Sequence, residues 1–116
     1  MKNLFLLRHA KSSWDNAALA DFDRPLSKRG ISNAILLSEY IQKHNITFDL
    51  VLSSPSERTQ STLDLVLSSL DYFPTTTLKE SIYHASPSSL TQLIKEQDNE
   101  INNLLVIGHN PGLHIL

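Results

Sequence analysis

The sequence predicts an α/β fold with three layers, in which a mainly parallel sheet lies between two layers of helices. Short apolar runs typical of buried parallel strands alternate with segments whose apolar residues recur at helical spacing. This alternation favours parallel pairing, because each crossover between parallel strands needs a connection as long as a helix. The chain has 116 residues, enough for one core, so we expect a single domain over residues 1–116.

Composition and charge exclude several classes of protein. Hydrophobic residues make up 41% of the chain and charged residues 19%, as in ordinary globular domains. The net charge of −2 provides no basic field for nucleic acid or for an anionic membrane. The sequence contains no cysteine, which excludes disulfides, thiolate metal sites and cysteine nucleophiles. No segment is long enough to cross a bilayer, and we expect a cytoplasmic protein.

The first half of the chain reads as strand, loop and helix. The first strand is expected over residues 3–8, where four consecutive apolar residues precede Arg8. A polar loop over residues 10–26 follows, and loops of this length without regular structure are usually functional. Ser27 can cap a helix that runs to about Lys43. Its apolar face would include Ile31, Ala34, Ile35 and Ile41.

The second half repeats the pattern of strand and helix. Strands are expected over residues 49–53, 75–78 and 103–108, where apolar or β-branched residues cluster. Ser54-Pro55 would open the second helix and Ser86-Pro87 the third, because proline is favourable in the first turn of a helix.

A final helix is expected to begin at Asn110-Pro111-Gly112, directly after the fourth strand. Within the given sequence it would have about six residues, too few to cover a sheet face well. We therefore expect the natural protein, or at least the natural domain, to extend beyond Leu116.

Two of the predicted strands are followed directly by a histidine. Arg8 is the last residue of the first strand and His9 follows it, and His109 follows the last strand. Open α/β sheets bind ligands at the carboxyl ends of their strands, where a guanidinium beside an imidazole suits an anion, a phosphoryl group above all. Taken singly, the same residues also fit a surface ion pair at Arg8 and an incidental turn histidine at His109.

Arg58 lies in the first turn of the second predicted helix. Backbone N–H groups at that position already favour an anion, which supports a phosphate-binding role. The alternative is a solvated arginine. The chain contains few arginines, and arginine suits planar recognition of oxyanions better than lysine does. The four are Arg8, Arg24, Arg29 and Arg58.

The order and spacing of these segments resemble the histidine phosphatase superfamily. The resemblance rests on Arg8-His9, on Ser-Ser-Pro-x-x-Arg-x-x-x-Thr over Ser53–Thr62, and on Gly-His-Asn-Pro over Gly108–Pro111. Leu7–Trp14 and Asp23–Gly30 look most like its SixA-like phosphohistidine phosphatase branch. The resemblance extends from Leu4 to Leu113, nearly the whole chain.

The resemblance implies a metal-independent phosphatase without a cofactor, acting through a phosphohistidine intermediate. His9 matches the nucleophile of the superfamily. Three residues match the remaining phosphate pocket, namely Arg8, Arg58 and His109. Arg24 matches an arginine that SixA-like proteins add to this pocket. Neighbouring arginines also favour an anion over a zinc ion between the histidines.

The general acid is the open part of the site. Glu80 is the best match to the carboxylate that protonates the leaving group in many members of the superfamily, and a solvated Glu80 is an equal alternative. Asp21 and Asp23 are second choices, with loop capping or pairing to arginine the more expected role. An imidazole leaving group, as in a phosphohistidine substrate, needs less proton donation than an alkoxide.

The resemblance leaves the substrate class open. A phosphohistidine-bearing protein is the expected partner, because few large insertions are present to form a deep small-molecule pocket. The alternative is a small-molecule phosphoester phosphatase or mutase of the same superfamily. A third interpretation is a non-catalytic phosphate-binding module. The presence of two histidines beside Arg8 and Arg58 argues against it.

Overall fold

The computed structural model describes residues 3–9, 12–13, 16, 18–83, 85–97 and 100–109. This part of the chain forms four strands, three α-helices and two short 3-10 helices. The strands are β1 (Asn3–Arg8), β2 (Leu50–Ser53), β3 (Thr75–Leu78) and β4 (Asn103–Gly108). The helices are α1 (Lys28–Lys43), α2 (Glu57–Leu67) and α3 (Pro87–Lys95), and the 3-10 helices are Asp21–Asp23 and Glu80–Ile82.

The four strands form one parallel sheet in the order β1-β4-β2-β3. Arg8 pairs in register with Gly108, and Ser53 pairs with Ile107 on one side and Leu78 on the other. The carboxyl ends of all four strands therefore share one edge of the sheet. The predicted α/β fold with a parallel sheet is confirmed.

The chain divides into two compact units. The sheet unit comprises Met1–Arg8, Phe48–Pro55 and Pro74–Leu116. The helical unit comprises His9–Thr47 and Ser56–Phe73.

The core of the sheet unit lies between the sheet and α3. Leu90 of α3 is 2% exposed and packs with Leu52, Leu104 and Val106, which project from β2 and β4. Ile82 of the second 3-10 helix belongs to the same cluster. The opposite face of the two central strands is buried as well, which explains their continuous apolar runs. Its residues are Val51, Leu105 and Ile107.

β1 is less buried than its apolar run predicts. Leu4 and Leu6 are each 41% exposed, because β1 is the first strand of the order and pairs with β4 alone. Phe5 packs edge-to-face on Phe48, with ring centroids 5.3 Å apart. A run of apolar residues therefore identified the strand but not its place at the sheet edge.

In the helical unit, α1 packs against α2. The predicted cap is present, since Ser27 Oγ accepts a hydrogen bond from the Gly30 N–H at 3.1 Å. Ile31 and Ile35, predicted for the buried face, are 40% and 41% exposed. The buried stripe is instead centred on smaller side chains, which allow two helices to approach closely. It consists of Gly30, Ala34, Ser38 and Ile41.

α2 begins two residues later than Ser54-Pro55 predicts. The Ser54 N–H donates to the Ile107 carbonyl at 3.1 Å, which extends the pairing of β2 with β4 by one residue. Ser56 is the actual N-cap, and its Oγ accepts from the Thr59 N–H. Proline is therefore part of the strand-to-helix connection and not of the helix.

The predicted helix from Pro111 lies outside the described residues, as do several positions of the predicted loop over residues 10–26. In the described ranges, none of the helices combines the length and hydropathy needed to span a membrane.

Candidate active site

The predicted site residues that belong to the sheet unit lie at the carboxyl edge of the sheet. Arg8 is the last residue of β1 and lies opposite Gly108, so β1 and β4 end side by side. His109 follows β4 directly. Glu80 begins the 3-10 helix after β3, and the Lys79 N–H donates to the Ser53 carbonyl at 2.8 Å. That bond attaches the start of the turn to the end of β2.

His109 is held by two neighbours. It is 9% exposed, and its Nε2 lies 2.8 Å from Ser54 Oγ in a buried hydrogen bond. The Tyr83 ring contacts it edge-to-face, with centroids 5.3 Å apart. A histidine fixed by a hydroxyl and an aromatic ring has a defined orientation, which hydrogen bonding to a ligand requires. The sequence analysis missed both neighbours. The Ser-Ser-Pro motif was a signal for Ser54, whereas Tyr83 carried none.

Arg8 and Glu80 are exposed, and within the described ranges neither side chain forms a hydrogen bond or ion pair. Both side chains are thus accessible from solvent at the carboxyl edge of the sheet. Arg29 lies exposed in the first turn of α1.

In the helical unit, Arg58 contacts His9. Arg58 is 6% exposed in the first turn of α2, and its Nε donates to His9 Nε2 at 3.3 Å. An arginine nitrogen can only donate, so His9 Nε2 is the acceptor of this bond. A histidine nitrogen that accepts a hydrogen bond carries the lone pair that nucleophilic attack requires.

The other two nitrogens of Arg58 bind Asp21. Nη1 donates to the Asp21 carbonyl at 2.6 Å, and Nη2 donates to Asp21 Oδ2 at 2.9 Å. The sequence analysis named pairing with an arginine as one expected role of Asp21, but it gave no partner, and Arg58 lies 37 residues away in sequence.

Arg24 is also buried and also contacts Asp21. Its Nη1 lies 3.2 Å from Asp21 Oδ1, its Nη2 donates to Ser12 Oγ at 2.6 Å, and its Nε donates to the Ser13 carbonyl at 3.2 Å. An antiparallel bridge between Ser12 and Leu26 closes the same loop. Arg24 therefore ties the described parts of the loop together, and its predicted contact with phosphate stays a prediction.

The structure thus brings together two sets of predicted site residues. The helical unit holds His9, Arg24 and Arg58, which Asp21 connects. The sheet unit holds Arg8, Glu80 and His109 at one sheet edge. A guanidinium can bind an oxyanion, and a neutral imidazole beside it can attack the central atom of that oxyanion. Within the described ranges, no group of three or more histidine, aspartate or glutamate side chains could hold a metal ion.

Comparison with known sequences identifies a family. The sequence model of the histidine phosphatase superfamily (branch 1) matches residues 4–106. An uncharacterized protein of Mycobacterium tuberculosis is 33% identical over 105 residues, which cover 90% of this chain and 63% of that protein. An uncharacterized chloroplastic protein of Arabidopsis thaliana is 50% identical over 40 residues, which cover 34% of this chain and 18% of that protein.

Comparison with solved structures finds the same fold. A protein described as the phosphohistidine phosphatase SixA of Agrobacterium tumefaciens is 27% identical, with a TM-score of 0.92 over 99% of this chain and 74% of that one. A SixA protein histidine phosphatase bound to tungstate is 24% identical, with a TM-score of 0.86 over 97% of this chain and 72% of that one. An Escherichia coli protein described as an α-ribazole-5′-phosphate phosphatase is 23% identical, with a TM-score of 0.72 over 93% of this chain and 73% of that one.

The chain spans less than two thirds of the length of the curated relatives it matches. The family match nevertheless covers β2, β3, the three helices and most of β1 and β4, and it includes Arg8, His9 and Arg58. The chain therefore belongs to the histidine phosphatase superfamily, in its branch 1, with SixA phosphohistidine phosphatases among its structural neighbours.

Proposed function

We propose that the protein is a metal-independent phosphatase that uses His9 as its nucleophile. The observation that carries this proposal is the hydrogen bond from Arg58 Nε to His9 Nε2 at 3.3 Å. It places His9 Nε2 directly beside a guanidinium, the group that attracts a phosphoryl oxygen, so a bound phosphoryl group would lie next to the proposed nucleophile. Membership of the histidine phosphatase superfamily supports the same chemistry.

The reaction has two steps. The Nε2 lone pair of His9 leaves the Arg58 N–H and attacks phosphorus, the bond from phosphorus to the leaving group breaks with its electron pair, and the leaving group takes up a proton from the general acid. A water molecule then attacks the phosphohistidine and gives a proton back to that group, the P–N bond breaks with its electron pair on His9, and inorganic phosphate is released. Since little covalent chemistry is needed beyond His9, the remaining residues contribute charge and position.

Four residues would stabilise the phosphoryl oxygens: Arg8, Arg24, Arg58 and His109. Arginine and histidine N–H groups stabilise the charge on these oxygens as the transition state forms. The burial of Arg58 strengthens this effect, because charges interact more strongly when water is excluded. The orientation of His109 by Ser54 and Tyr83 serves the same purpose in the sheet unit.

We propose Glu80 as the proton donor to the leaving group. It follows β3 at the carboxyl edge of the sheet, where its side chain is exposed to solvent. A phosphoester needs this proton because an alkoxide is a poor leaving group, whereas an imidazole needs it less.

The proposed substrate is a phosphohistidine on a protein. The similarity to the SixA protein of Agrobacterium tumefaciens, with 27% identity over 99% of this chain, supports this choice. A small phosphoester is the second candidate, because an α-ribazole-5′-phosphate phosphatase shares the fold.

The test compares wild-type protein with His9→Ala on a chemically phosphorylated histidine protein and on p-nitrophenyl phosphate. We expect wild-type protein to hydrolyse the phosphohistidine faster than the ester, and His9→Ala to hydrolyse neither. Tungstate should still bind His9→Ala, because its arginines remain. His44→Ala is the matched control, since His44 is exposed at the end of α1 and stacks on Tyr40.

Full turnover by His9→Ala would show that the nucleophile is wrong. If wild-type protein hydrolyses only the ester, the substrate is the second candidate, a small phosphoester. Tungstate binding without turnover of either substrate would instead identify a non-catalytic binding module.

A further inference from the structure

Asp21 contacts both buried arginines of the helical unit. Its Oδ1 lies 3.2 Å from Arg24 Nη1 and its Oδ2 lies 2.9 Å from Arg58 Nη2. Its main-chain carbonyl accepts a third bond, from Arg58 Nη1 at 2.6 Å. The side chains of both arginines are 8% exposed, whereas that of Asp21 is 48% exposed. One carboxylate at the solvent boundary thus holds two buried cations.

Two of these bonds restrict the direction in which the Arg58 guanidinium points. A guanidinium is planar and rigid, so fixing Nη1 and Nη2 on Asp21 also fixes the direction of the Nε–H. That N–H is the donor to His9 Nε2 at 3.3 Å. The position of Asp21 therefore determines, through the rigid guanidinium of Arg58, where the Nε–H meets the proposed nucleophilic nitrogen of His9.

The local structure around Asp21 is suited to this task. Asp21 begins a 3-10 helix, and the Arg24 N–H donates to its carbonyl at 3.2 Å, so the turn presents carbonyl and carboxylate together. Arg24 in turn binds Ser12 and Ser13, the described loop residues closest in sequence to His9. Asp21 thus contacts the loop through Arg24 and the nucleophile through Arg58.

We propose that Asp21 is a positioning residue for phosphoryl transfer, which aligns Arg58 on His9 and does not itself bind the phosphoryl group. The proposal rests on the proposed function of His9. It makes a distinctive prediction, because Asp21 is an anion beside an anion-binding arginine. Its removal should disturb alignment and so lower kcat, but it should not weaken oxyanion binding, since a competing negative charge is lost.

The test uses Asp21→Ala, Asp21→Asn and the control Asp64→Ala, which removes the same charge from an exposed position on α2. We expect kcat to fall at least tenfold in Asp21→Ala, while the Kd for tungstate stays within twofold of wild type or decreases. Asp21→Asn keeps an oxygen acceptor for one arginine, so its kcat should lie between that of Asp21→Ala and that of wild type. Asp64→Ala should match wild type in kcat and Kd.

A purely structural role would produce a different pattern. Tungstate affinity and kcat would then fall together with the midpoint of urea unfolding. If Asp21→Ala does not fold, Asp21→Asn carries the test, because it preserves side-chain shape and the main-chain carbonyl. Wild-type kcat in the folded variants, or a parallel loss of affinity and kcat, would overturn the proposal.

A second readout separates this proposal from the proposed function. The ¹⁵N chemical shift of His9 Nε2 reports its hydrogen bond to Arg58, whether or not the protein has activity. We expect Asp21→Ala to change that shift and Asp64→Ala to leave it unchanged. An inactive wild type with a changed shift would contradict the function alone, and an active wild type with an unchanged shift would contradict the role of Asp21 alone.

Discussion

Arg58 illustrates what a single residue type contributes. Each of its three nitrogens donates to an acceptor, two of them on Asp21 and one on His9. A lysine would carry the same charge as a single ammonium group, which could not maintain this fixed fork of bonds. At this scale the chemistry depends on the shape of the cation as well as on its charge.

Glu80→Gln tests the proposed proton donor at the same scale. Loss of a general acid usually costs about 10²–10⁴ in rate, so ester hydrolysis should slow by about 10² or more. Phosphohistidine hydrolysis should slow by less than about tenfold, because imidazole leaves more easily than alkoxide. The measurement is kcat on both substrates, and the matched control is Glu39→Gln, which changes an exposed residue of α1.

An equal loss of rate on both substrates, or none on the ester, would show that Glu80 is not the donor. Glu39→Gln should keep the wild-type rate on both, since it changes the same group outside the proposed site.

At the scale of the elements, the chain begins its helices in one way. Each of α1, α2 and α3 follows a serine whose hydroxyl accepts a main-chain N–H of the first turn. The serine of α2 differs from the others in burial, since Ser56 is fully buried and Ser86 is exposed. Its Oγ also lies 2.7 Å from Thr59 Oγ1. The α2 cap orients the turn that contains Arg58.

Ser56→Ala should therefore cost more stability than Ser86→Ala. Loss of a serine cap costs about 0.5–2 kcal/mol, and water can replace the exposed cap of α3 but not the buried cap of α2. We expect Ser56→Ala to lie near the upper end of that range and Ser86→Ala near the lower end. Urea unfolding of both variants measures the difference, and equal losses would contradict the argument.

At the scale of the whole molecule, strand order decides which apolar residues form the core. Leu4 and Leu104 are register partners on neighbouring parallel strands. Leu104 is fully buried in central β4, whereas Leu4 is 41% exposed in edge strand β1. The same residue type at the same level of the sheet thus contributes differently to stability.

Leu104→Ala should reduce the free energy of unfolding by about 2–5 kcal/mol, because it leaves a cavity in the sheet unit. Leu4→Ala should cost about 1 kcal/mol or less, since much of that side chain already contacts water. Chemical denaturation of both variants gives the comparison. A loss at Leu4 as large as the loss at Leu104 would contradict the assigned core.

Much of the fold could be predicted because it follows from local patterns. The ranges of β1, β3 and β4 and the cap of α1 agree with the structure, since apolar runs and a capping serine act over a few residues. The start of α2 was wrong by two residues, because the backbone bond from Ser54 to Ile107 extends the strand pairing. That bond joins residues 53 positions apart, which no local pattern can reveal.

The sequence by itself determined the family and the residue types of the candidate site. Each of these residues lies at or directly after the end of a predicted strand, or in the first turn of a predicted helix, and this placement is a local property of the chain. They are Arg8, His9, Arg58 and His109. Only the tertiary structure decided which side chains meet. The carboxylate of Asp21 on two buried arginines and the hydroxyl of Ser54 on His109 join distant parts of the chain. Burial of charged and polar groups makes such pairing necessary, but it does not specify the partner.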